Sequence, residues 1–72
     1  MAAVTVLGSG SWGTALAIHL SSVGHDVVLW GRDRELIAKM AEGRTNPTYL
    51  PELKFPETLT VSADLSAALS DV

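Results

Sequence analysis

The stretch AAVTVLGSGSWG, residues 2–13, decides the fold of this chain. Its apolar first half, residues 2–7, leads directly into three glycines spaced G-x-G-x-x-G, and an apolar helical pattern follows over residues 14–20. The glycine spacing alone is a weak signal, but between a strand and a helix it is typical of a turn that holds the phosphates of a dinucleotide. The sequence therefore predicts a buried strand, a phosphate-binding turn and a helix, in that order.

Each glycine of the turn has a separate physical reason. Gly8 permits the tight turn out of the strand, Gly10 lets phosphates approach the backbone without a Cβ in the way, and Gly13 lets helix and strand pack closely. Residues 1–24 contain no Lys, Arg, Asp or Glu, so a bound phosphate would be held by backbone N–H groups and the helix dipole. The hydroxyl of Ser11 is a further donor at the helix start. The alternative interpretation is a tight connection without a ligand.

The residues after the turn complete a strand–helix–strand unit. The first strand is predicted over residues 3–7, and Gly24 ends the helix that follows it. The β-branched apolar run of residues 26–30 predicts a second buried strand, joined to the first by a right-handed crossover. Apolar residues at helical spacing predict the helix face that packs on the sheet, with two alanines small enough for close contact. These residues are Leu16, Leu20 and Val23, with Ala15 and Ala17.

A second helix and a long loop are predicted next. Asp33 is placed to cap this helix, and Gly43 ends it. Residues 44–56 contain all three prolines and are predicted to form a loop without regular structure. The apolar face of the helix consists of Leu36, Ile37, Met40 and Ala41.

The order of the elements defines the fold class. A short strand over residues 59–61 and a third helix over residues 63–69, capped by Ser62, follow the loop. The chain is predicted to be an α/β protein with a partial Rossmann-type fold, a doubly wound parallel sheet. Residues 1–72 would be the N-terminal part of a dinucleotide-binding domain, and we expect the catalytic and substrate domain to be absent from this chain.

Composition argues against several function classes. The net charge of −3, with five Lys and Arg against eight Asp and Glu, provides no basic surface for nucleic acid. The absence of cysteine excludes a disulfide scaffold and is compatible with a reducing cytoplasm. The two histidines have no third ligand near them, so no metal site is expected. The N-terminal apolar run lacks a basic region and is interrupted by glycines, so neither signal peptide nor membrane span is expected, and a cytoplasmic location is predicted.

The residues after the second strand bear on the choice of cofactor. In NAD sites an acidic residue at this place hydrogen-bonds the ribose, but here the sequence is WGRD, residues 30–33. Gly31 is expected to leave room where that carboxylate would lie, and Arg32 brings a guanidinium that can pair with a 2′-phosphate or stack on adenine. This pattern favours NADP or tolerance of both NADP and NAD. Two alternatives stay open: Asp33 caps the helix or turns to the ribose, and Arg32 is simply solvated.

Motifs spread over the chain carry a family resemblance. The most selective are SWGTA inside the glycine turn, residues 11–15, and NPTYLP, residues 46–51. GHDV at residues 24–27, LWGRD at residues 29–33 and ADL at residues 63–65 occur in the same family order. With these motifs the chain resembles the N-terminal end of the bacterial-type NAD(P)-dependent glycerol-3-phosphate dehydrogenases over essentially its whole length.

The resemblance implies reversible hydride transfer between NADP or NAD and the pair dihydroxyacetone phosphate and sn-glycerol 3-phosphate, which feeds phospholipid synthesis. It implies a nicotinamide dinucleotide and a small phosphorylated substrate as partners, and it leaves a homodimer open. The family's catalytic lysines lie beyond residue 72, so the chain alone is predicted to be inactive, and Tyr49 is given no chemical role. The predicted cofactor-binding residues are Gly8, Gly10, Ser11, Trp12, Gly13, Arg32 and Asp33.

Other classes of protein remain as alternatives at this point. A ketopantoate reductase or a hydroxyacyl-CoA dehydrogenase has a similar opening glycine motif, although the NPTYLP loop argues against both. A non-enzymatic nucleotide-binding module would use the same turn for a partner contact. A flavin site is a weaker alternative, because the second strand should then end in an acidic residue.

Overall fold

The computed structural model describes residues 2–48 and 50–69 of the chain. Three strands and three helices alternate along these residues, as the sequence pattern predicts. The prediction made for Tyr49 lies outside the described residues. The elements are β1 (Ala3–Leu7), α1 (Ser11–Ser22), β2 (Asp26–Trp30), α2 (Arg34–Gly43), β3 (Leu59–Ser62) and α3 (Leu65–Leu69).

The three strands form one parallel sheet in the order β1-β2-β3. Leu7 is in register with Trp30, and Trp30 with Ser62, so the carboxyl ends of all three strands meet at one edge. The pairing continues one residue further, where the Gly8 N–H donates to the Trp30 carbonyl at 2.8 Å and the Gly31 N–H to the Ser62 carbonyl at 3.1 Å. The predicted partial Rossmann-type fold is confirmed, and its glycine-rich turn leaves the sheet from this edge.

The core lies between one face of the sheet and helices α1 and α2. Alternate strand residues point into it, as expected of strands whose side chains change face at each step. Helix α3 contacts the opposite face, where the Thr5 hydroxyl donates to the Ala68 carbonyl at 2.7 Å. No helix among the described residues is long and apolar enough to cross a membrane. The buried core residues are Val6, Ala17, Val27, Leu29, Ile37, Met40, Phe55 and Leu59.

Helix α1 packs through a different face from the one predicted. Leu16 and Val23 are 43% and 60% exposed, so the prediction that they face the sheet is wrong, and Leu20 is only partly buried. Small side chains allow the helix to pack close to the sheet. Two of them, Thr14 and Ser21, are polar, and they can be buried because each has a hydrogen-bond partner. The buried residues of α1 are Thr14, Ala17 and Ser21.

The end of α2 lies at the predicted residue, but its cap is not a glycine. The helix includes Gly43, and the residue with left-handed backbone is Arg44, with φ +57°. A non-glycine residue is held in this conformation because its side chain is anchored: the guanidinium donates to the Pro56 carbonyl at 2.8 Å and the Leu59 carbonyl at 2.7 Å. The helix thus ends at Gly43 as predicted, but the left-handed residue that follows it is Arg44 and not a glycine. For α1 the prediction holds, because Gly24 follows the helix with φ +104°.

The cap of α3 is Asp64 and not Ser62. The Asp64 carboxylate accepts from the Ala67 N–H at 3.2 Å, and the helix begins at Leu65. Ser62 is the last residue of β3, and its hydroxyl accepts from the Asp64 N–H at 3.0 Å. The strand therefore extends one residue further than predicted, and the helix starts two residues later. Residues 44–56 form no helix or strand in their described part, apart from an isolated bridge between Asn46 and Leu50.

Candidate dinucleotide-binding site

A cleft of about 510 Å³ opens at the carboxyl edge of the sheet, between the ends of β1 and β2. In open parallel α/β sheets, ligands bind in crevices outside the carboxyl ends of the strands. The glycine-rich turn forms one wall, and the residues that lead into α2 form the other. The lining residues are Leu7, Gly8, Ser9, Gly10, Trp30, Gly31, Arg32, Asp33 and Leu36.

The three glycines of the turn have distinct geometries. Gly8 has φ +113°, a conformation that other residues rarely adopt, and it starts the turn. A Cβ on Gly13 would collide with the Gly8 carbonyl oxygen and lie 3.6 Å from Cγ1 of Val6, so only glycine lets α1 pack this closely on β1. A Cβ on Gly10 would have nothing within 4 Å. Gly10, which lines the cleft, thus has open space where a side chain would begin.

The N-terminus of α1 lies at the same place and is not capped by a side chain of the described residues. Gly10 is the N-cap residue, and the first intrahelical bond runs from the Thr14 N–H to the Gly10 carbonyl at 3.0 Å. The amide groups before Thr14 have no acceptor within the helix. The first turn of α1 also contains no acidic residue. Free N–H groups at the positive end of a helix dipole are suited to binding an anion.

Two buried side chains, Thr14 and Asn46, hydrogen-bond to the turn at the Ser9 carbonyl. The Ser9 carbonyl accepts from the Thr14 hydroxyl at 3.1 Å and from Nδ2 of Asn46 at 2.8 Å. The same Asn46 nitrogen lies 2.8 Å from the Thr14 hydroxyl oxygen. Asn46 and Thr14 are both 0% exposed. Sequence reasoning did not assign Asn46 to the site, because 37 residues separate it from Ser9; its place in the NPTYLP motif was the one available signal.

The structure corrects the expectation for Gly31. This residue is buried, and a Cβ on it would collide with the Ser9 hydroxyl and lie 2.9 Å from Cβ of Ser9 and 3.0 Å from Cδ1 of Ile37. The expected free room is therefore filled by the neighbouring side chains. A side chain at position 31 would therefore require the Ser9 and Ile37 side chains to move.

The remaining predicted residues divide between the cleft and its surroundings. Arg32 is exposed and lines the cleft. Asp33 lies beside it as the N-cap of α2, with its carboxylate accepting from the Leu36 N–H at 3.1 Å, so the cap alternative is confirmed. Ser11 and Trp12 lie on the exposed first turn of α1, where Trp12 is 86% exposed, and neither lines the cleft.

A parallel sheet, a glycine-rich turn at its carboxyl edge and an uncapped helix N-terminus together define a dinucleotide-binding domain of the Rossmann type. Residues 3–72 match the sequence model of a protein family, which is described as the NAD-dependent glycerol-3-phosphate dehydrogenase N-terminus. The chain belongs to this family, and the resemblance inferred from its motifs is confirmed. The ketopantoate reductase, hydroxyacyl-CoA dehydrogenase and flavin alternatives are thereby set aside.

Individual relatives agree with the family. The chain is 59% identical over 68 residues to the glycerol-3-phosphate dehydrogenase (NAD(P)+) of Thioalkalivibrio sulfidiphilus, covering 94% of the chain and 20% of that protein. For the enzyme of the same name from Escherichia coli K12 the identity is 52% over 69 residues, covering 96% and 20%. The chain thus spans about one fifth of the length of these curated relatives.

Two solved structures share the fold. The glycerol-3-phosphate dehydrogenase of Coxiella burnetii superposes with a TM-score of 0.95 at 43% identity, covering 97% of this chain and 22% of that one. The Saccharomyces cerevisiae enzyme superposes with a TM-score of 0.84 at 29% identity, covering 96% and 23%. The fold of this chain is therefore found in both of these enzymes.

Proposed function

We propose that this chain supplies the phosphate-binding part of the cofactor site in an NAD(P)-dependent glycerol-3-phosphate dehydrogenase. The observation that carries the proposal is the N-terminus of α1, which no described side chain caps and which adjoins the open space beside Gly10. A helix N-terminus in this state favours the pyrophosphate of NADP or NAD. Membership of a family described as NAD-dependent supports the same ligand.

Backbone groups would carry most of the contact with the pyrophosphate. Gly8 and Gly13 shape the turn, and Gly10 leaves the approach to its amide open. Ser11 would add a hydroxyl donor, and the exposed ring of Trp12 would contact the bound cofactor from the first turn of α1. The cofactor supplies the hydride chemistry when bound, and these residues hold and orient it.

The opposite wall of the cleft would decide between the two cofactors. Because Gly31 is packed against the side chains of Ser9 and Ile37, position 31 provides no carboxylate for the ribose hydroxyls. Arg32 is exposed on the cleft and free to reach a 2′-phosphate or to stack on adenine. Asp33 contributes by starting α2 at this wall. We propose that the site accepts both cofactors and binds NADPH more tightly.

At the level of the whole enzyme, the proposed reaction interconverts dihydroxyacetone phosphate and sn-glycerol 3-phosphate for phospholipid synthesis. Residues 1–72 would be the N-terminal part of the dinucleotide-binding domain, and residues outside this sequence would bind the small phosphorylated substrate and move the proton. A cytoplasmic location and a homodimeric assembly belong to the same proposal. Its basis is the family membership together with the cofactor site.

Titration of the full gene product that contains this sequence tests the cofactor site. Gly10→Ala places a methyl group in the open space of the cleft, and we expect it to weaken NADPH and NADH binding by about tenfold, or about 1.4 kcal/mol. Gly43→Ala is the matched control, since its Cβ would meet only the Thr45 hydroxyl at 3.7 Å. Undiminished affinity in Gly10→Ala would count against the site.

An activity assay tests the reaction separately. We expect the full gene product to oxidise NADPH in the presence of dihydroxyacetone phosphate, and the isolated 72-residue chain to show no turnover. The described residues of the cleft offer no general acid aimed at a substrate carbonyl. Turnover by the isolated chain would contradict the assignment of catalysis to residues outside this sequence.

A further inference from the structure

The proline-containing loop, residues 44–56, contacts the glycine-rich turn through the fully buried side chain of Asn46. Both ends of the Asn46 amide are used: Nδ2 donates to the Ser9 carbonyl at 2.8 Å, and Oδ1 accepts from the Thr48 N–H at 3.2 Å. The Asn46 carbonyl also accepts from the Leu50 N–H at 2.9 Å. The amide thus joins the loop to the turn across 37 residues of sequence.

The bond to Ser9 fixes more than the carbonyl itself. The peptide between Ser9 and Gly10 is planar and trans, so its C=O and N–H groups point in opposite directions. Two donors hold the Ser9 oxygen toward the buried side of the turn. The Gly10 N–H must then point away from the Ser9 oxygen and its two donors. Gly10 itself lines the cleft, and an added Cβ there would have nothing within 4 Å.

We propose that Asn46 is a positioning residue for the phosphate-binding turn, acting through the Ser9 carbonyl to preset the direction of the Gly10 N–H. This inference rests on the proposed cofactor site. A donor that is already oriented needs no reorganisation when an anion binds, and a buried side chain held at both ends provides that orientation. Thr14 has a supporting part, because its hydroxyl bonds to the Ser9 oxygen as well.

Asn46→Asp isolates the contact with the turn. Aspartate has the same shape and keeps an oxygen for the Thr48 N–H, but it places an acceptor against the Ser9 carbonyl where the amide donated. We expect binding of both NADPH and NADH to the full gene product to weaken by about tenfold or more. Adenosine 2′-monophosphate has the adenine and the 2′-phosphate but no pyrophosphate, so its affinity should stay within about twofold of the wild type.

A pair of Thr14 variants provides an independent measurement. Thr14→Val removes one of the two donors to the Ser9 carbonyl and also the hydroxyl oxygen that accepts from Nδ2 of Asn46. Both changes loosen the Ser9 carbonyl, so we expect about a threefold loss of NADPH affinity. Thr14→Ser retains the hydroxyl and should restore the wild-type value. These variants decide the question if Asn46→Asp does not fold, and wild-type NADPH affinity in Thr14→Val would then overturn the proposal.

The remaining outcomes separate this inference from the proposed function. Unchanged NADPH affinity in a folded Asn46→Asp variant overturns the positioning role and leaves the cofactor site intact. An equal loss for NADPH and adenosine 2′-monophosphate also overturns it, since that result indicates a general structural role. Failure of the wild-type protein to bind NADPH contradicts the proposed function itself. It would overturn the positioning role as well, because that role depends on the cofactor site.

Discussion

Helices α1 and α2 begin at the same edge of the sheet, directly after neighbouring strands, yet their N-termini are built differently. The N-terminus of α2 is capped by the protein's own side chains: the Asp33 carboxylate accepts from the Leu36 N–H, and Glu35 adds negative charge to the first turn. The N-terminus of α1 begins at Gly10 and has neither feature among the described residues. By this comparison, α1 is the helix whose N-terminal amides have no side-chain acceptor among the described residues.

The missing cap has an energetic consequence. A side-chain cap contributes about 1 kcal/mol relative to alanine but only about 0.3 kcal/mol relative to glycine, so with Gly10 at its N-cap α1 forgoes a small amount of stability that α2 has. Close packing offsets this, since Ala17 is fully buried against the sheet and the Ser21 hydroxyl pairs with the Thr58 hydroxyl. Proteins commonly depart from such stability rules at functional sites and compensate by packing elsewhere. The uncapped N-terminus of α1 is a departure of this kind.

Gly10→Asp would make α1 resemble α2 and is expected to have the largest effect. The backbone at Gly10 is extended, with φ −68° and ψ −174°, and its Cβ position is open, so aspartate fits as a cap. We expect α1 to gain about 0.5–1 kcal/mol while NADPH affinity falls by about a hundredfold, because a carboxylate would occupy the pyrophosphate site.

Calorimetric titration and thermal unfolding measure the two effects of this substitution. Gly10→Asn is the matched control, because it provides a cap without the charge. A smaller loss of affinity for Gly10→Asn separates charge repulsion from occupied space. Full NADPH affinity in Gly10→Asp would refute the assignment of the α1 N-terminus as the phosphate site.

Gly13→Ala is expected to act on stability. Its Cβ would collide with the backbone carbonyl of Gly8, and a backbone atom cannot move aside as a flexible side chain can. We expect a loss of about 2 kcal/mol in the free energy of unfolding, in the range typical of overpacked sites. Urea denaturation measures this loss, with Gly43→Ala as the control. A variant as stable as the wild type would show that α1 does not need its close contact with β1.

Arg32→Ala tests what the α2 side of the cleft contributes. In the proposed site, the α2 side would contact the cofactor through a side chain, whereas the α1 side would contact it through the backbone. We expect NADPH affinity to fall about tenfold, or about 1.4 kcal/mol, with NADH affinity within about twofold. Arg34→Ala is the control, since Arg34 is also exposed but does not line the cleft. An equal loss for both cofactors would assign Arg32 to stacking on adenine.

Local patterns were sufficient to predict most of the fold. The bounds of β1 and β2 agree with the prediction because each is a short apolar run followed directly by a glycine. The loop over residues 44–56 follows from its prolines, which remove backbone donors. The packed face of α1 could not be predicted, since this helix is apolar or small on nearly all sides and its periodicity specifies no single face.

The candidate site was predictable only where it is local in sequence. The glycine spacing located the turn, and Asp33 before an apolar periodic run indicated the α2 cap. Contacts between distant segments gave no such signal. The space beside Gly31 is filled by the Ser9 side chain, and the Ser9 carbonyl accepts a hydrogen bond from Asn46. Both are tertiary contacts that become visible only when β2 and the loop lie beside the turn.

Asp33→Ala is the smallest of the expected effects and tests the other half of the comparison. Removing the carboxylate leaves the Leu36 N–H without its acceptor, so we expect a loss of about 1 kcal/mol in the free energy of unfolding. We expect NADH affinity to stay unchanged, because the carboxylate is engaged with the Leu36 N–H. Asp64→Ala is the matched control, since it removes an equivalent bond to the Ala67 N–H and Asp64 does not line the cleft. If Asp33→Ala weakened NADH binding severalfold and Asp64→Ala did not, the cap of α2 would also belong to the cofactor site, and only α1 and α2 together would define it.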